Sequence, residues 1–121
     1  PAVYCAGHVS LAILEVVVHA DLALAPYYAV IPVTFDEALV EGLNLKRLPS
    51  AWRHHPAPAA VVALGDAWLR EFRSPILRVP SAVVPTESNF ILNPLHPEFG
   101  KIEIGEPEIL EVDPRISKGR K

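Results

Sequence analysis

Residues 10–22 (SLAILEVVVHADL) form an apolar run with helical spacing and a single carboxylate at its centre, Glu15. Leu11, Glu15 and His19 are four apart, so a helix stacks them on one stripe, with His8 and Leu22 near it. The other positions from Leu11 to Val18 are almost all aliphatic, which predicts a helix wrapped by protein. A carboxylate in that setting has to be paired, hydrogen-bonded, protonated or turned to a cleft. Pairing with His19 or with an arginine from elsewhere is the structural alternative to the cleft. Ser10 is the expected N-cap, and the helix is expected to reach about Leu24 and stop at Pro26.

Around this helix the pattern turns to short extended pieces. Residues 2–6 (AVYCA) read as a buried strand that Gly7 breaks. Residues 27–35 (YYAVIPVTF) have strand composition, with Pro32 marking an edge or a bulge. Residues 36–48 mix a helical turn with a short strand. A proline-rich loop at 49–58 leads into a second helix, from about Pro58 to Phe72. There Ala60, Leu64, Ala67, Trp68 and Glu71 keep the helical period, and Gly65 weakens the helix by ~1 kcal/mol relative to alanine. Residues 76–79 and 82–84 read as β pieces split by Pro80-Ser81. A turn at 85–88 and a strand at 89–92 follow, then a turn with a 3₁₀ piece at 93–99. Residues 101–104 and 108–112 alternate about the turn at 105–107. Two helices among many short strands, with no βαβ repeat, predict an α+β fold with a small mixed or antiparallel sheet.

Composition narrows the function classes. The 121 residues suit one domain, divided here into 1–115 and a basic tail, 116–121, whose Lys118, Arg120 and Lys121 read as a solvated end. A net charge of −3 and an isoelectric point near 5.9 argue against a nucleic-acid surface. The hydrophobic share is high, at 50%, yet no apolar run approaches the ~20 residues of a membrane span. The single cysteine, Cys5, excludes an internal disulfide and points to a reducing, cytoplasmic setting; it is expected to be a buried, inert thiol. His54 and His55 are adjacent and point apart, and His8, His19 and His96 lack metal-ligand spacing. Ser81, Asp66 and His96 supply the letters of a hydrolase triad without a G-x-S-x-G elbow, and no Gly-rich phosphate loop occurs. His96-Pro97 is read as structural. The chain has no methionine and enters strand-like sequence directly after Pro1, which predicts that the sequence begins inside a domain.

Several stretches together resemble the RES domain, the toxin half of bacterial RES–Xre toxin–antitoxin pairs. They are VYCAG (3–7), LAILEVVVH (11–19), ALGDAWL (63–69), LRVPSAVVPTESNFILNPLHPEF (77–99) and DPR (113–115), in the family's order and across nearly the whole chain. Glu15 matches the family's glutamate and Ser81 its serine. Tyr4 matches a tyrosine near the nucleotide pocket, and Asn89 stands where the family keeps an asparagine. The family's arginine belongs to a Gly-rich segment upstream of the first strand. No arginine from Arg47 to Arg120 stands in its context, so the 121 residues alone are expected to be nearly inactive.

The resemblance implies a fold related to ADP-ribosyltransferases and NAD as substrate, cleaved between nicotinamide and ribose. Inorganic phosphate is the expected acceptor, as in an NAD phosphorylase, with a protein acceptor or a catalytically dead antitoxin-binding remnant as alternatives. No separate cofactor is expected. The expected partner is an Xre-type helix-turn-helix antitoxin, with a homo- or hetero-oligomer possible. Glycosidic cleavage of this kind passes through an oxocarbenium-like transition state. A rigid carboxylate beside the ribose gains as positive charge develops there, and Glu15 is its candidate. Ser81 is the candidate for binding phosphate or a ribose hydroxyl, against a turn serine capping its own backbone. Tyr4 is the candidate for stacking on nicotinamide or bonding the nucleotide, and Asn89 for lining the pocket.

Overall fold

The computed structural model describes residues 2–19 and 26–117. Along the chain run β1 (Val3–Ala6), α1 (Val9–His19), β2 (Tyr27–Val30), β3 (Val33–Thr34) and β4 (Val40–Gly42). Then follow α2 (Ala59–Glu71), β5 (Ile76–Pro80), β6 (Ser88–Leu92), β7 (Glu103–Ile104) and β8 (Glu108–Glu111). Strands β1-β6-β5-β4 form one sheet, antiparallel except for the parallel β4/β5 pair. Strands β2 with β8, and β3 with β7, form two antiparallel ribbons. This is the α+β class expected from the pattern.

Register sorts the sheet into two faces, because alternate residues of a strand point to opposite sides. Val3, Leu92, Ile76 and Val40 align across the four strands, as do Tyr4, Ile91, Leu77 and Glu41 one step on. On the first face Ile76 and Leu92 join Leu39 and Ile102 in the core, flanked by Cys5, Phe90 and Phe35. The Phe35 and Phe90 rings sit 5.4 Å apart at 60°. Full burial of each such aliphatic side chain contributes about 1.5–3 kcal/mol. On the opposite face Leu77 is fully buried, as are Leu11 of α1 and Trp68 of α2. The Trp68 indole donates to Ser74 Oγ (2.8 Å), which donates to the Ile76 carbonyl (2.7 Å), tying the end of α2 to the start of β5.

Several expectations need correction. Helix α1 is not wrapped by protein: Leu11 is 1% exposed, but Val9, Leu14, Val16 and Val18 are 38–55% exposed. The helix lies beside β1, an edge strand, so only one stripe of it meets the sheet. For the same reason β1 is not buried, and Tyr4 is 76% exposed. Ser10 lies inside α1 rather than capping it. Residues 27–35 split into β2 and β3 around Pro32, whose carbonyl accepts the Gly105 amide (2.7 Å). A Cβ at Gly105 would stand 2.7 Å from Pro32 Cγ, so that approach needs glycine. Strands β7 and β8 do not pair with each other; each pairs with a strand from the chain's first third. Residues 82–84 are a turn rather than a strand, for a reason that lies in Ser81. The extension of α1 to Leu24 and the basic tail 118–121 lie outside the described residues. No helix among the described residues is long and apolar enough to cross a membrane.

Candidate active site

The sheet face opposite the main core opens into a cavity of about 660 Å³ between α1 and α2. That volume is in the range of small-molecule sites. Its floor follows the two-residue alternation of the strands: Leu77 and Val79 from β5, Asn89 and Ile91 from β6, and Tyr4 from β1. Helix α1 contributes Glu15 and Val18, and α2 contributes Leu64, Gly65 and Trp68.

Three of the four sequence candidates meet here. Asn89 Nδ2 donates to Glu15 Oε2 at 2.8 Å, across 74 residues of sequence. Tyr4 stands in the same wall, one strand over from Ile91. Among the described residues the partner of the carboxylate is therefore a neutral amide, which fixes its orientation without neutralising its charge. Ion pairs among the described residues join Arg73 to Glu41 and Glu71, Lys101 to Glu98, and Arg115 to Asp113; none includes Glu15. Asn89 Oδ1 is buried without a hydrogen-bond partner among the described residues. The side chain of His19 lies outside the described residues.

Ser81 is placed differently. It is fully buried, and its Oγ accepts the amide protons of Val83 and Val84, both at 3.1 Å. These bonds fold residues 82–84 back on themselves in place of a strand. Pro80 and Ala82, its two neighbours, line the cavity; Ser81 stands behind them and shapes the turn that forms the rim.

The loop before α2 supplies residues that sequence reading left out of the site. Trp52, Arg53, His54 and His55 all line the cavity, and the two histidines are exposed in a loop, as read from the sequence. Arg53 Nε donates to the Ala82 carbonyl at 2.9 Å, bridging loop and rim over 29 residues. No local pattern announces that contact.

His96 is structural: its Nδ1 accepts the Glu98 amide (3.0 Å), leaving Nε2 to donate to the Phe72 carbonyl (3.1 Å) at the left-handed end of α2. Cys5 packs toward the main core, and burial pushes its thiol pKa up, away from a reactive thiolate. No group of three His, Cys, Asp or Glu among the described residues could hold a metal ion.

An α+β domain with an amide-held carboxylate in a cavity over its open sheet face is the class that fold and site define. Comparison with known proteins places it further. The RES domain model matches residues 1–113, and the chain belongs to that family. It is 38% identical over 124 residues to Toxin Res of Photorhabdus laumondii subsp. laumondii, covering 100% of this chain and 79% of that one. It is 36% identical over 117 residues to Toxin Res of Yersinia enterocolitica, covering 95% and 77%. A relative from Sphingobium named Prs ADP-ribosylating toxin is 36% identical over 119 residues, covering 94% and 73%.

Proposed function

We propose that this protein is a RES-type toxin that consumes NAD by breaking the bond between nicotinamide and ribose, with inorganic phosphate as acceptor. The observation that carries this reading is the Glu15 carboxylate, oriented by Asn89 and free of any described cation, on the wall of a nucleotide-sized cavity. As the C1′–N bond lengthens, its electron pair leaves with neutral nicotinamide and positive charge builds on the ribose. A charge already oriented in a partly dry site stabilises that state without reorganising. A cation bound to Glu15 would cancel the effect; an amide does not. Tyr4, largely exposed at the cavity edge, is suited to packing against the nicotinamide ring. The product with phosphate is ADP-ribose carrying a phosphate on C1′.

The name of the Sphingobium relative favours a second acceptor, a protein side chain in place of phosphate. The partner that restrains the toxin is read as an Xre-type antitoxin, on the family resemblance. The test is to express the complete reading frame, add NAD, and follow nicotinamide and the ribosyl product by mass spectrometry, with and without phosphate. Phosphate-dependent release with a phosphorylated sugar product is expected. Release that ignores phosphate moves the assignment to hydrolysis or protein modification, and no release at all removes the enzymatic reading.

A further inference from the structure

Arg53 is the only lysine or arginine among the described residues that lines the cavity. Its Nε is committed to the Ala82 carbonyl at 2.9 Å. That bond fixes the plane of the guanidinium, and its terminal nitrogens have no partner among the described residues. Arg73 and Arg115, by contrast, are held in ion pairs by carboxylates.

The location is set by the sheet. Val79 is the β5 partner of Asn89, which holds Glu15. Ala82, which holds Arg53, follows Val79 by three residues. At ~3.3 Å per extended residue, that path is at most about 10 Å. The cavity therefore has a carboxylate over one part of β5 and an oriented guanidinium just past the end of the same strand. Asp66 and Glu15 are the acidic groups facing it, and His54 and His55 stand beside Arg53 in sequence. An anion is repelled from the Glu15 end and held at the Arg53 end, whereas a ribose becoming cationic is favoured at Glu15.

We propose that Arg53 is the cavity's phosphate anchor, binding phosphoryl oxygens through its terminal guanidinium nitrogens, and that it thereby aligns the attached ribose with Glu15. The proposal rests on the nucleotide reading above and assigns the polarity of the bound molecule within it. Planar, paired N–H donors suit phosphate geometry better than a lysine ammonium does. Ser81 contributes indirectly, because its hydroxyl folds the turn whose Ala82 carbonyl orients Arg53.

Trp52 and Trp68 both line the cavity, so intrinsic fluorescence can report binding. ADP titrated into the product of the complete reading frame is expected to give a saturable change. Arg53→Gln should weaken ADP about ten-fold or more, Arg53→Lys should recover part of the loss, and Arg115→Gln should match wild type. An unchanged thermal midpoint for Arg53→Gln excludes misfolding. Inorganic phosphate that competes with ADP in wild type identifies both the pyrophosphate and the free acceptor as ligands; absence of competition assigns the anchor to the pyrophosphate alone. ADP binding left within two-fold by Arg53→Gln overturns the proposal, as does a protein that releases nicotinamide from NAD but does not bind ADP. Normal, Arg53-dependent ADP binding without nicotinamide release would instead remove the NAD reading and leave the anchor in place.

Discussion

Ser81 and Asn89 illustrate how much a polar side chain's task depends on what lies beside it in space. Ser81 has both the donors to its hydroxyl oxygen within three residues, so its structural work is local: two amide protons of a turn end on one buried oxygen. Replacing it with alanine leaves those amides to find other partners at a typical cost of about 1–3 kcal/mol. Ser81→Ala is therefore expected to lower the thermal midpoint by several degrees in a scan, before any effect on turnover is considered. A midpoint equal to wild type would mean that the turn does not depend on the hydroxyl. The turn reading of Ser81 was open from sequence, because serine after proline commonly caps its own backbone. The partnership of Asn89 with Glu15 was not, since 74 residues separate them and only the sheet register brings them together. Arg53 was hidden for the same reason: the loop around it has no period, and its contact is with a backbone carbonyl that any residue could offer.

At the scale of elements, legibility followed the length of the periodic signal. Helix α2 (Ala59–Glu71) was readable almost to its ends, because Pro58 fixes its start and Trp68 marks its buried stripe. Helix α1 was legible as a helix, but its surroundings were not. Aliphatic composition says that a helix tolerates burial; it does not say how many neighbours reach it, and α1 rests on an edge strand. Strands of two to five residues leave too few positions to fix a partner, so the exchange of β7 and β8 between two ribbons could not be read in advance. The junction between α2 and β5 carries its own test. Ser74 Oγ serves both the buried Trp68 indole and the Ile76 carbonyl, and Ser74→Ala strands the indole N–H away from water. A loss of about 1–3 kcal/mol in denaturant unfolding is expected. Ser74→Thr, which keeps the hydroxyl, should recover most of it, and equal losses in both variants would assign the effect to packing instead.

Across the whole molecule, one sheet separates two environments. Its core face, with Ile76, Leu92, Leu39 and Ile102, is closed and apolar. Its other face carries Leu77 and Trp68 at full burial and then opens where Glu15, Asn89, Tyr4 and Arg53 gather. The core supplies rigidity at the base of β5 and β6, and the cavity takes it up at their far ends. This explains how the Glu15 carboxylate is held in place: Asn89, its amide partner, sits on a strand anchored by Leu92, three residues on. The α+β class and the family were legible in the sequence because they rest on ordered motifs. The polarity of the cavity was not, because it rests on contacts between four elements.

The most direct measurement compares nicotinamide release from NAD by wild type and by Glu15→Gln, both from the complete reading frame. Glutamine keeps the shape of the side chain and a carbonyl oxygen for the Asn89 amide while removing the charge. If that charge stabilises the ribose cation, release should fall by a factor of about 10²–10³ or more, the size typical of losing one preorganised electrostatic group. The thermal midpoint and ADP binding should stay close to wild type. Release that survives Glu15→Gln within a few-fold would contradict the account.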